Sequence, residues 1–216
     1  MYVILNAAMS IDGKISTKNN DSSISSEMDF VRVHKLRSSV DGIVIGISTV
    51  LKDNPMLNVR YFTNGAKNPT RIIIDSNARI PLDSRIIKSS KKIQTIIAVT
   101  HNASSKKVKE IENKGARVLV TGNGKVSIRK LFQKLERMGL RKILVEGGGE
   151  INWSVIKLGI INELIVTISP LVIGGRDAKT LVEGEGFANI SDGIKLKLSN
   201  TIIQNNNEIV LFYKLR

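Results

Sequence analysis

Short runs of β-branched and other apolar residues recur along the chain, with stretches of helical spacing between them. Val3-Ile4-Leu5, Ile43-Val44-Ile45, Ile72-Ile73-Ile74, Ile96-Ile97-Ala98-Val99, Val118-Leu119-Val120 and Ile143-Leu144-Val145 are continuous rather than alternating. Strands covered on both faces, as in a parallel sheet, read this way. The clearest helix spans Ser127 to Met138. Ile128, Leu131, Phe132, Leu135 and Met138 form one apolar stripe, Ser127 suits the N-cap, and Gly139 suits the stop. Ser26–Ser38 predicts a second helix, with Ser26 and Asp29 spaced as a capping box, and Ser104–Lys114 a third, ending at Gly115. Glu150–Leu158 can supply another.

Strand alternating with helix argues for an α/β sheet. After Gly159 the pattern changes: Leu164–Ser169, Ile194–Ile203 and Ile209–Tyr213 read as strands with little helix between, and Gln204–Asn207 as a turn. This predicts antiparallel strands added to the edge of a parallel sheet. With no repeat, low-complexity tract or linker, residues 1–216 read as a single domain.

Composition narrows the chemistry. The absence of cysteine excludes disulfides, thiolate zinc sites and cysteine nucleophiles, and two histidines make a multi-histidine metal site a poor reading. We therefore expect no metal. No apolar run approaches the ~18 residues of a membrane span, and the N-terminus lacks the pattern of a secretory signal, so a cytoplasmic location is expected. The formal charge of +14 invites a nucleic-acid reading, but the basic residues are dispersed and aromatics make up 4%. Attraction for phosphorylated small molecules, without specific nucleic-acid binding, fits better.

Polar clusters fall at the ends of several predicted strands. In LVEGGGEIN, Glu146 ends a buried strand and Gly147, Gly148 and Gly149 precede a helix. The dinucleotide fingerprint G-x-G-x-x-G fails here, because its third glycine and its later acidic residue are missing. A turn of this kind still lets backbone amides close on a phosphate at a helix start, although a tight turn alone also asks for glycine. A carboxylate ending a buried strand implies a partner, which points to a ligand contact. Ser10, Asp12 and Lys14 follow the first strand, where Asp12-Gly13 also reads as a plain turn. Thr49 and Asp53, four apart, share a helical face suited to ribose or a nicotinamide amide, or else are an N-cap and a solvated carboxylate. Arg60 is placed to clamp a phosphate and Arg79 to meet a 2′-phosphate, while Gly174-Gly175 allow close backbone approach. His34 reads as a surface or packing residue rather than a catalytic one, with Phe30 one turn earlier fitting packing, and His101 carries no assignment.

Five stretches together carry a resemblance: AAMSIDGKI (Ala7–Ile15), the run from Leu36 to Arg60, RIIIDSNARIP (Arg71–Pro81), LVEGGGEIN (Leu144–Asn152) and ISPLVIGG (Ile168–Gly175). In their order and spacing they resemble the reductase family of riboflavin biosynthesis. The resemblance implies a dihydrofolate reductase-like fold, NADPH as cofactor, a homodimer, and hydride transfer to C1′ of a phosphorylated ribosylamino-pyrimidine. Thr49, Asp53, Ser76 and Gly147–Gly149 would be cofactor contacts. Lys14, Arg37, Leu57, Arg60 and Glu146 would be substrate contacts. The two arginines would hold the 5′-phosphate, with Lys14 and Glu146 at the ribosyl chain as catalytic candidates. Asp12 joins them as a further substrate contact and possible proton donor. Ser22-Ser23-Ile24-Ser25 departs from the tryptophan-bearing loop of many relatives, which leaves the contacts of 20–23 open. Bacterial relatives carry a fused zinc deaminase, and a chain without cysteine cannot form that site. The stand-alone archaeal type, which reduces 2,5-diamino-6-ribosylamino-4(3H)-pyrimidinone 5′-phosphate before deamination, is the nearest pattern. Reduction of the deaminated compound or of a pterin stays open, as does a non-catalytic nucleotide-binding protein.

Overall fold

The structure is a computed structural model and describes residues 1–61 and 67–215. In chain order the elements are β1 (Tyr2–Ser10), α1 (Glu27–Ser38), β2 (Gly42–Gly46), α2 (Ile47–Asp53), β3 (Thr70–Ile74), α3 (Arg85–Lys88), β4 (Thr95–Val99) and α4 (Ser105–Asn113). They continue with β5 (Arg117–Val120), α5 (Ile128–Arg137), β6 (Lys142–Val145), α6 (Gly149–Lys157), β7 (Glu163–Ser169), a 3-10 turn (Ile190–Asp192), β8 (Leu196–Ile203) and β9 (Ile209–Leu215). The chain divides into two compact units, His34–Leu144 with Met1, and Tyr2–Val33 with Val145–Arg216.

The first unit holds strands in the order β5-β4-β3-β2-β6. β2, β3, β4 and β5 pair in parallel, with Val44 opposite Ile72, Ile72 opposite Ile96 and Ile97 opposite Val118. Every residue of β2, β3 and β4 is buried, which is why their sequences do not alternate. On α5 the side chains of Ile128, Leu131, Phe132 and Leu135 are buried, and the Ser127 hydroxyl accepts the Lys130 amide at the start. Each such leucine contributes about 2 kcal/mol by leaving water. α2 begins two residues before Thr49, because extended Gly46 is its N-cap and Ile47 and Val50 pack inside.

Arg71 is the least expected feature of this unit. It sits on β3 with no exposed surface, and burial pulls its guanidinium down to about 10. Its Nε donates to the Thr95 hydroxyl (3.1 Å), and Nη1 to the Met56 carbonyl (3.1 Å) and the Ser89 hydroxyl (2.8 Å). Nη2 donates to the carbonyls of Ile86 (3.0 Å) and Ile93 (3.2 Å) and to the Thr95 hydroxyl (2.6 Å). One charged fork thus joins β3, the start of β4, the end of α3 and the segment after α2.

In the second unit the order is β1-β7-β9-β8. β1 and β7 are parallel from Ile4 opposite Glu163 to Ser10 opposite Ser169, and β7, β9 and β8 are antiparallel. The mostly parallel sheet and the antiparallel C-terminal strands both follow the sequence pattern. The capping box does not form as expected. The Ser26 hydroxyl accepts the Asp29 amide (3.2 Å), but the Asp29 carboxylate turns inward to Arg32 (2.8 Å) and the Thr167 hydroxyl (2.8 Å). Arg32 also donates to the Asn6 side chain (2.8 Å), which ties α1 to β1 and β7.

The Ser26 amide donates instead to Glu208, ahead of β9, at 3.0 Å. The hydroxyls of Ser26 and Ser169 donate to the same carboxylate, which is 2% exposed. Burial alone would raise Glu208, but hydrogen bonds led by those from Ser26 outweigh it and hold the carboxyl below its usual range. A carboxyl lowered by folding stabilises the fold above its ordinary value of 4.5, and that stability drains as pH falls through the lowered one. We expect chemical unfolding of Glu208→Gln to lose part of the wild-type decline in stability between about pH 5 and 3. Parallel pH curves for the two proteins would contradict this.

Candidate functional site

In the second unit, β1 ends at Ser10 and the chain turns back through Gly13, whose φ is +78°. Asp12 faces this turn and the loop after β7 together. Its Oδ1 accepts from the Ser10 hydroxyl (2.6 Å) and the Ile173 amide (3.0 Å), and its Oδ2 from the Gly174 amide (2.7 Å). The Ser10 hydroxyl, then the Ile173 amide, draw its carboxyl down to about 2. Asp12 is therefore ionised and engaged in fastening two loops, which removes it as a proton donor near neutral pH. The Gly174 amide, expected to face a ligand, is committed to Asp12. Lys14 is half-buried, donates from Nζ to the Ala178 carbonyl (3.2 Å), and bridges to Thr180 through its backbone.

The glycine turn lies against the same loop. Glu146 is the first residue past β6 and half-buried, and Gly147 has φ +90°. A Cβ on Gly149 would stand 2.6 Å from Glu183 Cγ and 2.8 Å from the Thr180 carbonyl oxygen, so no larger residue fits. Gly148 caps α6 with no side chain, which leaves the first amides of the helix without the cap that Ser or Asp would supply. The second unit thus gathers Asp12, Lys14, Gly147–Gly149 and Gly174-Gly175 around one loop.

In the first unit, Thr49 and Asp53 lie one turn apart on α2, Thr49 half-buried and Asp53 exposed. After β3 the chain bends at Ala78, which adopts φ +54°. Buried Asp75 supports the bend by accepting the Ile80 amide at 2.8 Å. Desolvation raises the Asp75 carboxyl, against the pull of the bend's amides and of Arg79. The Ser76 hydroxyl accepts the Val126 amide at 3.2 Å, and Arg79 stands exposed with Nε 4.0 Å from Asp75.

The segment 54–61 is neither helix nor strand. Leu57 is buried at φ +46°, so its side chain belongs to the packing, while Arg60 is exposed. The Arg60 amide donates to His34 Nδ1 at 3.1 Å, and His34 lies one turn before half-buried Arg37 on α1. Of the two readings that the sequence allows for His34, surface or packing, the structure shows the buried one, and the sequence carries no sign of its bond to Arg60. Arg71 and Glu208 were equally invisible as organisers of these segments. Among the described residues no group of acids and histidines is arranged to hold a metal, and no helix is long and apolar enough to cross a membrane.

The family model described as the RibD C-terminal domain matches residues 1–210. The 2,5-diamino-6-ribosylamino-4(3H)-pyrimidinone 5′-phosphate reductase of Methanothermobacter thermautotrophicus is 41% identical over 210 residues, 97% of this chain and 96% of that protein. Among solved structures, RibD of Acinetobacter baumannii aligns over all of this chain and 58% of its own, with TM-score 0.86 at 24% identity. Dihydrofolate reductase from Enterococcus faecalis, in complex with NADP(H) and RAB-propyl, gives TM-score 0.56 at 12% identity, covering 100% of this chain and 96% of that one. These structural likenesses concern the fold, which is dihydrofolate reductase-like.

Proposed function

Because the chain belongs to the RibD C-terminal domain family, we propose that it is an NADPH-dependent reductase of riboflavin biosynthesis, acting on 2,5-diamino-6-ribosylamino-4(3H)-pyrimidinone 5′-phosphate. The observation that carries this reading is the glycine turn ahead of α6, where Gly148 starts the helix with no side-chain cap and a Cβ on it would meet nothing within 4 Å. Such a helix start fits a cofactor phosphate. Thr49, Asp53, Ser76 and Gly147–Gly149 would hold NADPH, with Gly175 and the chain beside Gly174 as further contacts and Arg79 at the 2′-phosphate. When bound, the dihydronicotinamide supplies a hydride, and C1′ of the ring-opened ribosyl group accepts it.

The residues of the chain bind, orient and exclude water around that transfer. Arg37 and Arg60 would take the 5′-phosphate, with Leu57 shaping the wall beside it. Lys14 and Glu146 would contact the ribosyl chain. With Asp12 engaged as an ionised loop fastener, Lys14 and Glu146 are the side chains left to handle a proton. The Ala178 carbonyl holds the Lys14 ammonium in a fixed place and leaves its other donors for substrate.

We further take the protein to be a cytoplasmic homodimer with no specific nucleic-acid partner. One sheet face supports the dimer. Leu198 and Ile203 on β8 are 50% and 75% exposed, and they pair across the ladder with Tyr213 and Ile209. The deciding experiment follows loss of dihydronicotinamide absorbance with the amino substrate and its deaminated counterpart separately, on protein whose mass is read by light scattering. Oxidation with the amino form only, at twice the chain mass, is expected. Activity with the deaminated form only would reverse the order of steps, and folded, NADPH-binding protein silent with both would overturn the substrate.

A further inference from the structure

We infer that His34 is a positioning residue for substrate affinity, setting the place of Arg60 relative to Arg37. This deepens, and rests on, the reading of those arginines as the phosphate clamp. The segment that carries Arg60 has no regular secondary structure of its own, so its geometry comes from tethers. Asn54 accepts the Arg85 amide (2.8 Å), the Met56 carbonyl accepts Arg71 (3.1 Å), and the Val59 amide donates to Asn68 (2.8 Å). The last tether is the Arg60 amide on His34 Nδ1, at 3.1 Å. It differs from the others because it comes from the helix that also carries Arg37. Residues three apart on a helix are neighbours on its surface. The imidazole therefore fixes the backbone of one arginine against the turn that bears the other.

The chemistry of the contact is specific. Nδ1 accepts an N–H, so it carries no proton, and the neutral tautomer with hydrogen on Nε2 is the one this bond selects. The ring has no exposed surface and meets Tyr61 edge-to-face, with centroids 4.8 Å apart and planes at 73°, so it is held by the Arg60 amide and by the side chain that follows it. A flexible arginine placed by a rigid backbone loses less freedom when it binds a phosphate, which is where affinity is gained.

The test compares steady-state kinetics of His34→Leu, His34→Asn, His34→Gln and Arg60→Ala. His34→Leu keeps the apolar volume and removes the acceptor. We expect its substrate KM to rise roughly tenfold, the loss of about one hydrogen bond to a backbone amide, with kcat and the KM for NADPH within about twofold of wild type. His34→Asn offers an oxygen near the Nδ1 position and should recover most of the affinity, whereas the longer Gln reaches the Nε2 position and should not. If His34→Leu does not fold, as judged by its melting temperature, the Asn and Gln pair alone decides: equal KM values for the two overturn the proposal. In the Arg60→Ala background, His34→Leu should add little further, since both act on one contact. An unchanged KM in Arg60→Ala would remove the clamp itself. A raised KM there, with an unaltered KM in folded His34→Leu or fully additive effects in the double variant, would overturn the role of His34 alone.

Discussion

Arg71→Met is expected to lower the melting temperature by about 10 °C. Among the described residues the guanidinium donates to neutral acceptors, the carbonyls of Met56, Ile86 and Ile93 and the hydroxyls of Ser89 and Thr95. Two effects oppose each other on substitution. Methionine relieves the cost of keeping a charge out of water, the same cost that pulls the Arg71 guanidinium down to about 10. It also removes six hydrogen bonds from a charged donor. The Met56 carbonyl is left without its side-chain donor, while the Ile86 and Ile93 carbonyls keep the Ser89 and Thr95 hydroxyls. The cost is about 1–3 kcal/mol for a carbonyl left unsatisfied and less for the others. The hydroxyls suffer less, because Ser89 and Thr95 donate elsewhere, to the Arg85 and Ile93 carbonyls. The lost charge-assisted bonds outweigh the relief, and a net loss of about 3 kcal/mol corresponds to roughly 6–12 °C in a chain of this size. Calorimetry of the variant checks it, and a melting temperature within about 2 °C of wild type would mean that the charge relief wins. Because Met56 adjoins Leu57, the variant should also bind substrate less well at temperatures where it is folded.

The scaffold was legible because its signals are local. Ile72-Ile73-Ile74 and Ile96-Ile97-Ala98-Val99 declare buried parallel strands by composition alone, and Ser127 with Gly139 brackets α5 by its own end chemistry. The change of pattern after Gly159 likewise announced the antiparallel strands. The four-residue α3 and the 3-10 turn were not expected, being too short to show a period.

What escaped the sequence is long-range polar pairing. Glu208 caps α1 across 182 residues, Asp12 holds the Ile173 amide across 161, and His34 takes the Arg60 amide across 26. Nothing in a residue's immediate neighbours encodes such a partner. The loop-fastening bonds of Asp12 and the inward turn of Asp29 were invisible for the same reason. In each case a carboxylate with a plausible local role is claimed by donors from distant segments. Residue types at strand ends single out candidates for chemistry, but not which of them distant segments engage.

Arg60→Ala is the substitution with the largest expected effect on affinity. A guanidinium donating to a phosphate makes charge-assisted hydrogen bonds, commonly two in parallel, and removing it costs roughly 2 kcal/mol or more, a rise in substrate KM of about 30-fold. The phosphate lies away from C1′, where the chemistry occurs, so ground state and transition state lose the same contact. KM should therefore move while kcat at saturation stays close to wild type. Arg60→Lys keeps a positive charge and gives up the planar fork, and should fall between the two. Arg37→Ala should act in the same direction, and raising the salt concentration should narrow the gap between wild type and either variant, because exposed charges are screened. An unchanged KM for Arg60→Ala would remove Arg60 from the phosphate. A fall in kcat with KM held constant would place it instead at the reacting end of the substrate, beside Lys14 and Glu146.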